Sequence, residues 1–487
     1  MADNLQQGVY TMLRRDFLQQ STAALTAAAG GMMSLAFPGD ADAVATGGGI
    51  DIGEGVWMLD EGKEKNLMPR IRREILSNPR AVFIIETDVA GSPDEQGFFT
   101  DQASEILGWG NRCASYLFEK GHTKGGATFI KTNYTWIPPN SYNPVFGGIT
   151  SSHFAAGFTG KLRDMGNTNV MVGDRGGTNI RNHRQTGIYD VMDAHDINVM
   201  MPTYRHFRDY EKNELNWHNV KEPVIWKKIP TYRPLGDKDT IFINMAKLKC
   251  HYLTGTTLSI KNLQGAIPTG YGHFCNLWAE LDFLIDNVYE IDHGHFTKHW
   301  QERTEEEFRK HRAAGFKHWD YEGSFKKYEQ DGGWDNYRKI RKDREAVKVF
   351  RDEHPYLLRD ELWIQRALDA ASSIRPTLNV VEGVVGRDGD GFSIGRDELT
   401  NVVLAGMSTF EVDVIGSWIM GHDPRELWYT RVANERGLAE CDPAKIDVYR
   451  ITANGIEPVR NIEDLPRYRL GCNLHAMLKE TGMRKFW

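Results

Sequence analysis

Thr240-Ile241-Phe242-Ile243-Asn244-Met245-Ala246-Lys247-Leu248-Lys249-Cys250-His251 decides how the rest of the chain is read. Its first half is an unbroken β-branched and aromatic run, the pattern of a strand buried on both faces. After Asn244 it turns polar, with Lys247, Lys249 and His251, as a strand does when it ends on a working edge. Similar short apolar runs occupy residues 81–86, 127–131, 169–174, 197–201, 377–382 and 401–405, and a helical stretch covers 151–165. Such strands alternating with helices predict an α/β fold with a mainly parallel sheet and flanking helices.

Several of these strands end on polar residues. Lys131 and Asn133 close one, Asp174 the next, the 247–251 group a third and Glu382 a fourth. In open α/β sheets the ligand crevice lies outside the carboxyl ends of the strands, so these groups are expected to share one crevice. The polar stretch continues into Ser259-Ile260-Lys261-Asn262. Lysines this dense beside a strand end point to an anionic ligand such as a carboxylate or phosphate. A lysine stripped of water there loses basicity and can serve as a base or a Schiff-base amine. His251 is the side chain suited to proton transfer near neutral pH. Surface lysines in an ordinary turn are the plain alternative.

Six segments together resemble a known family. They are Lys131-x-Asn133, Val172-Gly173-Asp174, Lys247-Leu248-Lys249-x-His251, Ser259-Ile260-Lys261-Asn262 with Gly265, Asn379-Val380-Val381-Glu382-Gly383, and Gly389-Asp390-Gly391. In this order they look like the signature of domain of unknown function 362. Residues 402–405 and 412–416 look like its closing strand and helix. The resemblance spans residues 81–424 with an interruption. It implies a fold and site positions but no agreed reaction. Glu382 stands where an Asp is expected and Phe392 where many members have Pro. The ferredoxin-like cysteine clusters of many relatives are absent, which argues against electron transfer.

The interruption is a charged helical insertion expected at residues 292–355, rich in Lys, Arg, Glu and aromatics. It divides the core into 46–291 and 356–487, the latter including the C-terminal tail. At its entrance, His293, His295 and His299 can bring imidazoles together for a transition metal, and His295 and His299 would share a helix face. Residues 386–391 form a glycine-rich turn expected to close the site with Asp390 facing in; they lack the later ligands of an EF-hand. No G-x-G-x-x-G, P-loop or G-x-S-x-G pattern is present.

At the start of the chain, Arg14-Arg15-Asp16-Phe17-Leu18 precedes an uncharged small-residue stretch from 21 to 37 and two Ala-x-Ala sites at 41–45. This predicts a twin-arginine signal peptide over residues 1–45. The mature protein is then periplasmic or otherwise outside the cytoplasm, with the twin-arginine translocase as a transient partner. That route raises the prospect of a cofactor, for which a transition metal is a candidate. The formal net charge of −7 argues against nonspecific nucleic-acid binding. No remaining apolar run is long enough for a stable membrane span. The five cysteines form no C-x-x-C, so no iron–sulfur motif is present, and they are expected to be mostly buried free thiols. An oligomer is compatible with this sequence.

Two functions fit these readings. The preferred one is an exported enzyme whose Lys247, Lys249 and Lys261 hold or activate a small anion, with Lys131, Asn133, Asp174, Asn262, Glu382 and Asp390 lining the same crevice. The alternative is a non-catalytic metal- or cofactor-handling protein, or an accessory subunit of an exported redox complex.

Overall fold

The computed structural model describes residues 49–51, 57–59, 67–268 and 327–471, apart from 125, 136–142, 175–186, 201–209, 212, 225, 252–253, 329, 341–342, 344–345, 347–348, 351–352, 390 and 392–394. Its centre is a ten-stranded sheet. In chain order the strands are β1 (Val82–Glu86), β2 (Ala127–Lys131), β3 (Val170–Gly173), β4 (Asn198–Met200), β5 (Thr240–His251), β6 (Gly255–Thr256), β7 (Leu378–Arg387), β8 (Asp397–Gly406), β9 (Val448–Thr452) and β10 (Gly455–Pro458). Their spatial order is β10-β9-β1-β8-β7-β5-β2-β3-β4, with β6 paired to the end of β5. Of these ten, β6, β8 and β10 run against the other seven. The fold is α/β with a mixed, mostly parallel sheet.

Side-chain alternation along each strand builds two cores. On one face Phe83, Ile85, Ile130, Val170, Val172, Ile243, Met245, Leu378 and Val380 meet helices α1 (Ala103–Leu117), α2 (Ser152–Asp164) and α3 (Ile188–Ala194). On the other, Val82, Ile84, Phe129, Met171, Phe242, Leu248 and Val381 meet α4 (Leu258–Asn262), α5 (Pro355–Ser373), α6 (Thr409–Ile419) and α7 (Trp428–Glu435). Both faces are covered, so the central strands read as continuous apolar runs.

Two strands outrun their apolar patterns. β5 does not stop near Asn244 but continues to His251, and β7 continues past Glu382 to Arg387. Every residue of β5 from Phe242 onward is buried, as is every residue of β7. The polar residues in these extensions find buried partners instead of water, so the ladder does not break. The register slips between Lys247 and Lys249 on β5 and between Gly383 and Val385 on β7. Such irregularities bend a strand and re-aim its side chains.

The chain leads outward from β2 to β3 and β4, then returns to lay β5 on the other side of β2. The boundary between β2 and β5 is therefore the topological switch point, where open sheets leave a crevice beyond their carboxyl ends.

The charged insertion expected at 292–355 lies mostly outside the described residues. Within its described part, Gly333–Ile340 is helical. Cys113 and Cys250 are buried and Cys441 is partly exposed, while Cys275 and Cys472 lie outside the described residues. Among the described residues no helix is long and apolar enough to cross a membrane.

Candidate functional site

Lys247 and Glu382 face each other directly in the β5–β7 register. Their charged ends are 2.5 Å apart and both side chains are wholly buried. Glu382 does more than hold the lysine. Its Oε2 accepts from the Ser151 backbone N–H at 3.1 Å, and its Oε1 from the Val384 N–H at 3.0 Å. Ser151 is the N-cap of α2, so the carboxylate also sits at a helix end that favours negative charge.

A second buried pair bridges the ends of β2 and β3. Lys131 Nζ lies 3.0 Å from Asp174 Oδ1 and donates to Thr132 O and Asn262 Oδ1, both at 2.8 Å. Asp174 Oδ2 accepts from the Tyr134 N–H at 2.7 Å. Gly265 runs so close to this pair that a Cβ there would lie 2.1 Å from Asp174 Oδ1. No other residue type fits without displacing the carboxylate.

Asn262, the last residue of α4, locks these parts together. Its Nδ2 donates to Lys131 O at 3.3 Å and Asn244 Oδ1 at 2.9 Å. Its Oδ1 accepts from Lys131 Nζ and, at 3.1 Å, from Asn133 Nδ2. An amide offers two donor hydrogens and two acceptor lone pairs, so all four are in use. Asn244 passes the network to its register partner Asn379 at 2.9 Å. The geometry gives Asn262 the work of holding Lys131.

Lys249, the next inward-facing residue of β5, pairs in register with Arg387 of β7. Arg387 Nη1 meets Asp397 Oδ1 at 2.5 Å, and its guanidinium lies 4.4 Å from the centre of the Phe146 ring. Asp397 Oδ2 accepts from the Gly147 N–H at 2.8 Å, while Lys249 Nζ donates to Gly148 O at 2.5 Å. The 146–148 segment thus wraps both cations. Burial, together with the positive charges of Lys261, Arg387 and Lys247, holds the Lys249 ammonium well below the ordinary lysine range, against a smaller opposing pull from Asp174.

Lys261 is half-buried at the top of the cluster, 3.5 Å from Gln264 Oε1 and 5.3 Å from the centre of the Trp363 ring. The short helix that carries it is anchored by Asp413 of α6. The Asp413 carboxylate accepts from the N–H groups of Ser259 at 2.6 Å and Ile260 at 3.0 Å. Burial pushes this carboxyl up to about 8, against the two N–H bonds. His251 is buried at the end of β5, opposite Gly255 of β6.

With this geometry in view, the family model described as Domain of unknown function (DUF362) matches residues 128–418, more than half of the chain. The chain belongs to the DUF362 family. No curated protein and no solved structure matches it.

Of the positions singled out in this DUF362 protein, the fold brings Lys131, Asn133, Asp174 and Asn262 into one buried network, pairs Lys247 with Glu382, sets Lys249 within electrostatic reach of Lys247, Lys261 and Asp174, and places His251 at the end of β5. Asp390, His293, His295 and His299 lie outside the described residues. Sequence reasoning gave no site role to Arg387, Asp397, Asn244 or the 146–151 segment, nor to Asn379 and Asp413, which it placed only within the family signature. Asn244 and Asn379 had a signal, since each is a lone amide inside an apolar strand. Arg387 had none, because its burial depends on β7 running beyond Glu382.

The DUF362 chain has one further group of ligand-type atoms among its described residues. Those of Asp331, Glu353 and His354 lie within 4.8 Å of one another. The Lys327 ammonium already sits 2.5 Å from Asp331 and 3.6 Å from Glu353, so the protein supplies its own cation there.

Proposed function

We propose that this protein is an exported enzyme acting on a small anionic molecule at the carboxyl edge of the sheet. The observation that carries the reading is the burial of Lys131, Lys247, Lys249 and Arg387 on the neighbouring strands β2, β5 and β7, with the charge of Lys261 within electrostatic reach of Lys249. Burying a charge costs several kcal/mol, about the amount a structural salt bridge struggles to return. Apolar residues would stabilise this region as well, so a cluster of this size suits a ligand more than a scaffold. In this reading Lys261 meets the anion, Lys249 reacts with it or withdraws a proton from it, and His251 relays protons. Lys131–Asp174, Lys247–Glu382 and Asn262 position these groups. Export by the twin-arginine route rests on the 14–45 segment and belongs to the same proposal.

The test uses native mass spectrometry to find the ligand that travels with the protein, then compares variants. His251→Gln should cut turnover by about 10²-fold or more, the range for lost proton transfer. It should weaken binding much less. Lys261→Met should weaken binding about tenfold or more, as losing a charge-assisted contact does. If both variants bind and turn over as the wild type does, the site is elsewhere.

A further inference from the structure

We propose that Asp413 is a positioning residue of the anion site and acts through α4 on Lys261. This rests on the anion-site reading above and says what holds its half-buried cation in place. The turn that starts α4 carries the argument. Leu258, the first residue of that helix, has φ +22°, a conformation that residues with a Cβ rarely adopt. Such strain persists only where the surroundings over-determine it, and it gathers where position matters to function.

Those surroundings are one face of α6. Gly416 and Ser417 lie three and four residues after Asp413, so the three share that face. Asp413 takes the N–H groups of Ser259 and Ile260, the two residues that follow the strained one, at 2.6 and 3.0 Å. Gly416 makes room for Leu258, whose Cδ1 would lie 2.9 Å from a Cβ at that position. Ser417 Oγ lies 3.2 Å from the hydroxyl of Thr256, just before the turn. The chain is held on both sides of Leu258, and a relaxed turn would send α4 in another direction.

The helix so directed brings Lys261 to Trp363 of α5. The indole is almost wholly buried, and the Lys261 ammonium lies 5.3 Å from its ring centre. A ring face attracts a cation without occupying its N–H donors, which stay able to meet an anion. A lysine held in this way before the anion arrives loses less side-chain freedom on binding.

The full chain is prepared with lysine carrying carbon-13 at Cε, and the NMR signal of Lys261 is assigned by its loss in Lys261→Arg. Held against the indole, it should stand displaced by the ring current from the signal of the exposed Lys238, and Trp363→Leu should remove that displacement. Asp413→Asn leaves one acceptor oxygen for two N–H groups and should return the signal toward that of Lys238. Gly416→Ala presses on Leu258 from the same face and should move the signal too, although alanine favours the helix that carries it. Inorganic phosphate or glycolate is then added. The wild-type Lys261 signal should respond, and Asp413→Asn should need about tenfold more anion for the same response, as when one charge-assisted contact is lost. A Lys261 signal unmoved in Asp413→Asn, or in Gly416→Ala should the first variant not fold, overturns the proposal. If the wild-type signal responds to anion in that case, the anion site stands without Asp413. If the signal depends on Asp413 but ignores both anions, Lys261 meets no anion, and the anion-site reading falls and takes the proposal with it.

Discussion

Lys247 of β5 and Glu382 of β7 are register partners whose charged ends meet at 2.5 Å with no exposed surface. The same carboxylate receives the N–H groups of Ser151 and Val384, which ties the 146–151 segment and α2 to the sheet. Removing either charge strands the other in a dry interior.

Lys247→Met should therefore destabilise the protein by about 3–5 kcal/mol, the range for breaking one half of a buried pair. Adding Glu382→Gln should restore part of the loss, because glutamine removes the stranded charge while its single amide oxygen can still accept from one of the two backbone N–H groups. Urea unfolding of both variants decides this. A Lys247→Met protein as stable as the wild type would mean that the pair is not buried together.

Asn262→Ala should be costly despite the small change in size. It leaves the Lys131 ammonium, the Asn133 amide and the Asn244 carbonyl each short of a buried partner. Each such group costs about 1–3 kcal/mol. Hydrogen exchange should report the loss first in α4, whose fifth and last residue is Asn262. An Asn262→Ala variant with unchanged exchange in α4 would contradict the network.

Asp413 makes a prediction about pH. Its folded carboxyl is raised from the ordinary 3.8 to about 8. Between those values the folded protein binds the proton and the unfolded chain does not. Stability must then fall as pH rises from about 4 to about 8, opposite in sign to a salt-bridged carboxylate. Asp413→Asn should lose this part of the slope. Urea midpoints of the two proteins at pH 5 and pH 9 provide the check, and parallel pH profiles would show that Asp413 is ionised throughout.

Export is tested at the other end of the chain. Replacing Arg14 and Arg15 by lysines should leave full-length precursor in the cytoplasm. Cell fractionation that still finds processed protein outside the cytoplasm would remove the twin-arginine reading.

The sequence by itself determined the α/β class, because strands covered on both faces must be written as continuous apolar runs and helices must punctuate them. It also marked Lys131 and Asp174 at strand ends, whereas Lys247 and Glu382, which interrupt such runs as well, lie inside strands that continue past them. Only the tertiary structure decided how those residues pair. Lys247 meets Glu382, 135 residues away, and Lys131 meets Asp174 across a strand boundary. Partner choice depends on strand order and register, which no local pattern encodes. Only the fold revealed that β5 and β7 continue through their charged segments, for a buried partner does for a polar strand what water does for a loop. That continuation brings Arg387 beside Lys249, and it buries a lysine for which a solvated surface turn was the plain alternative.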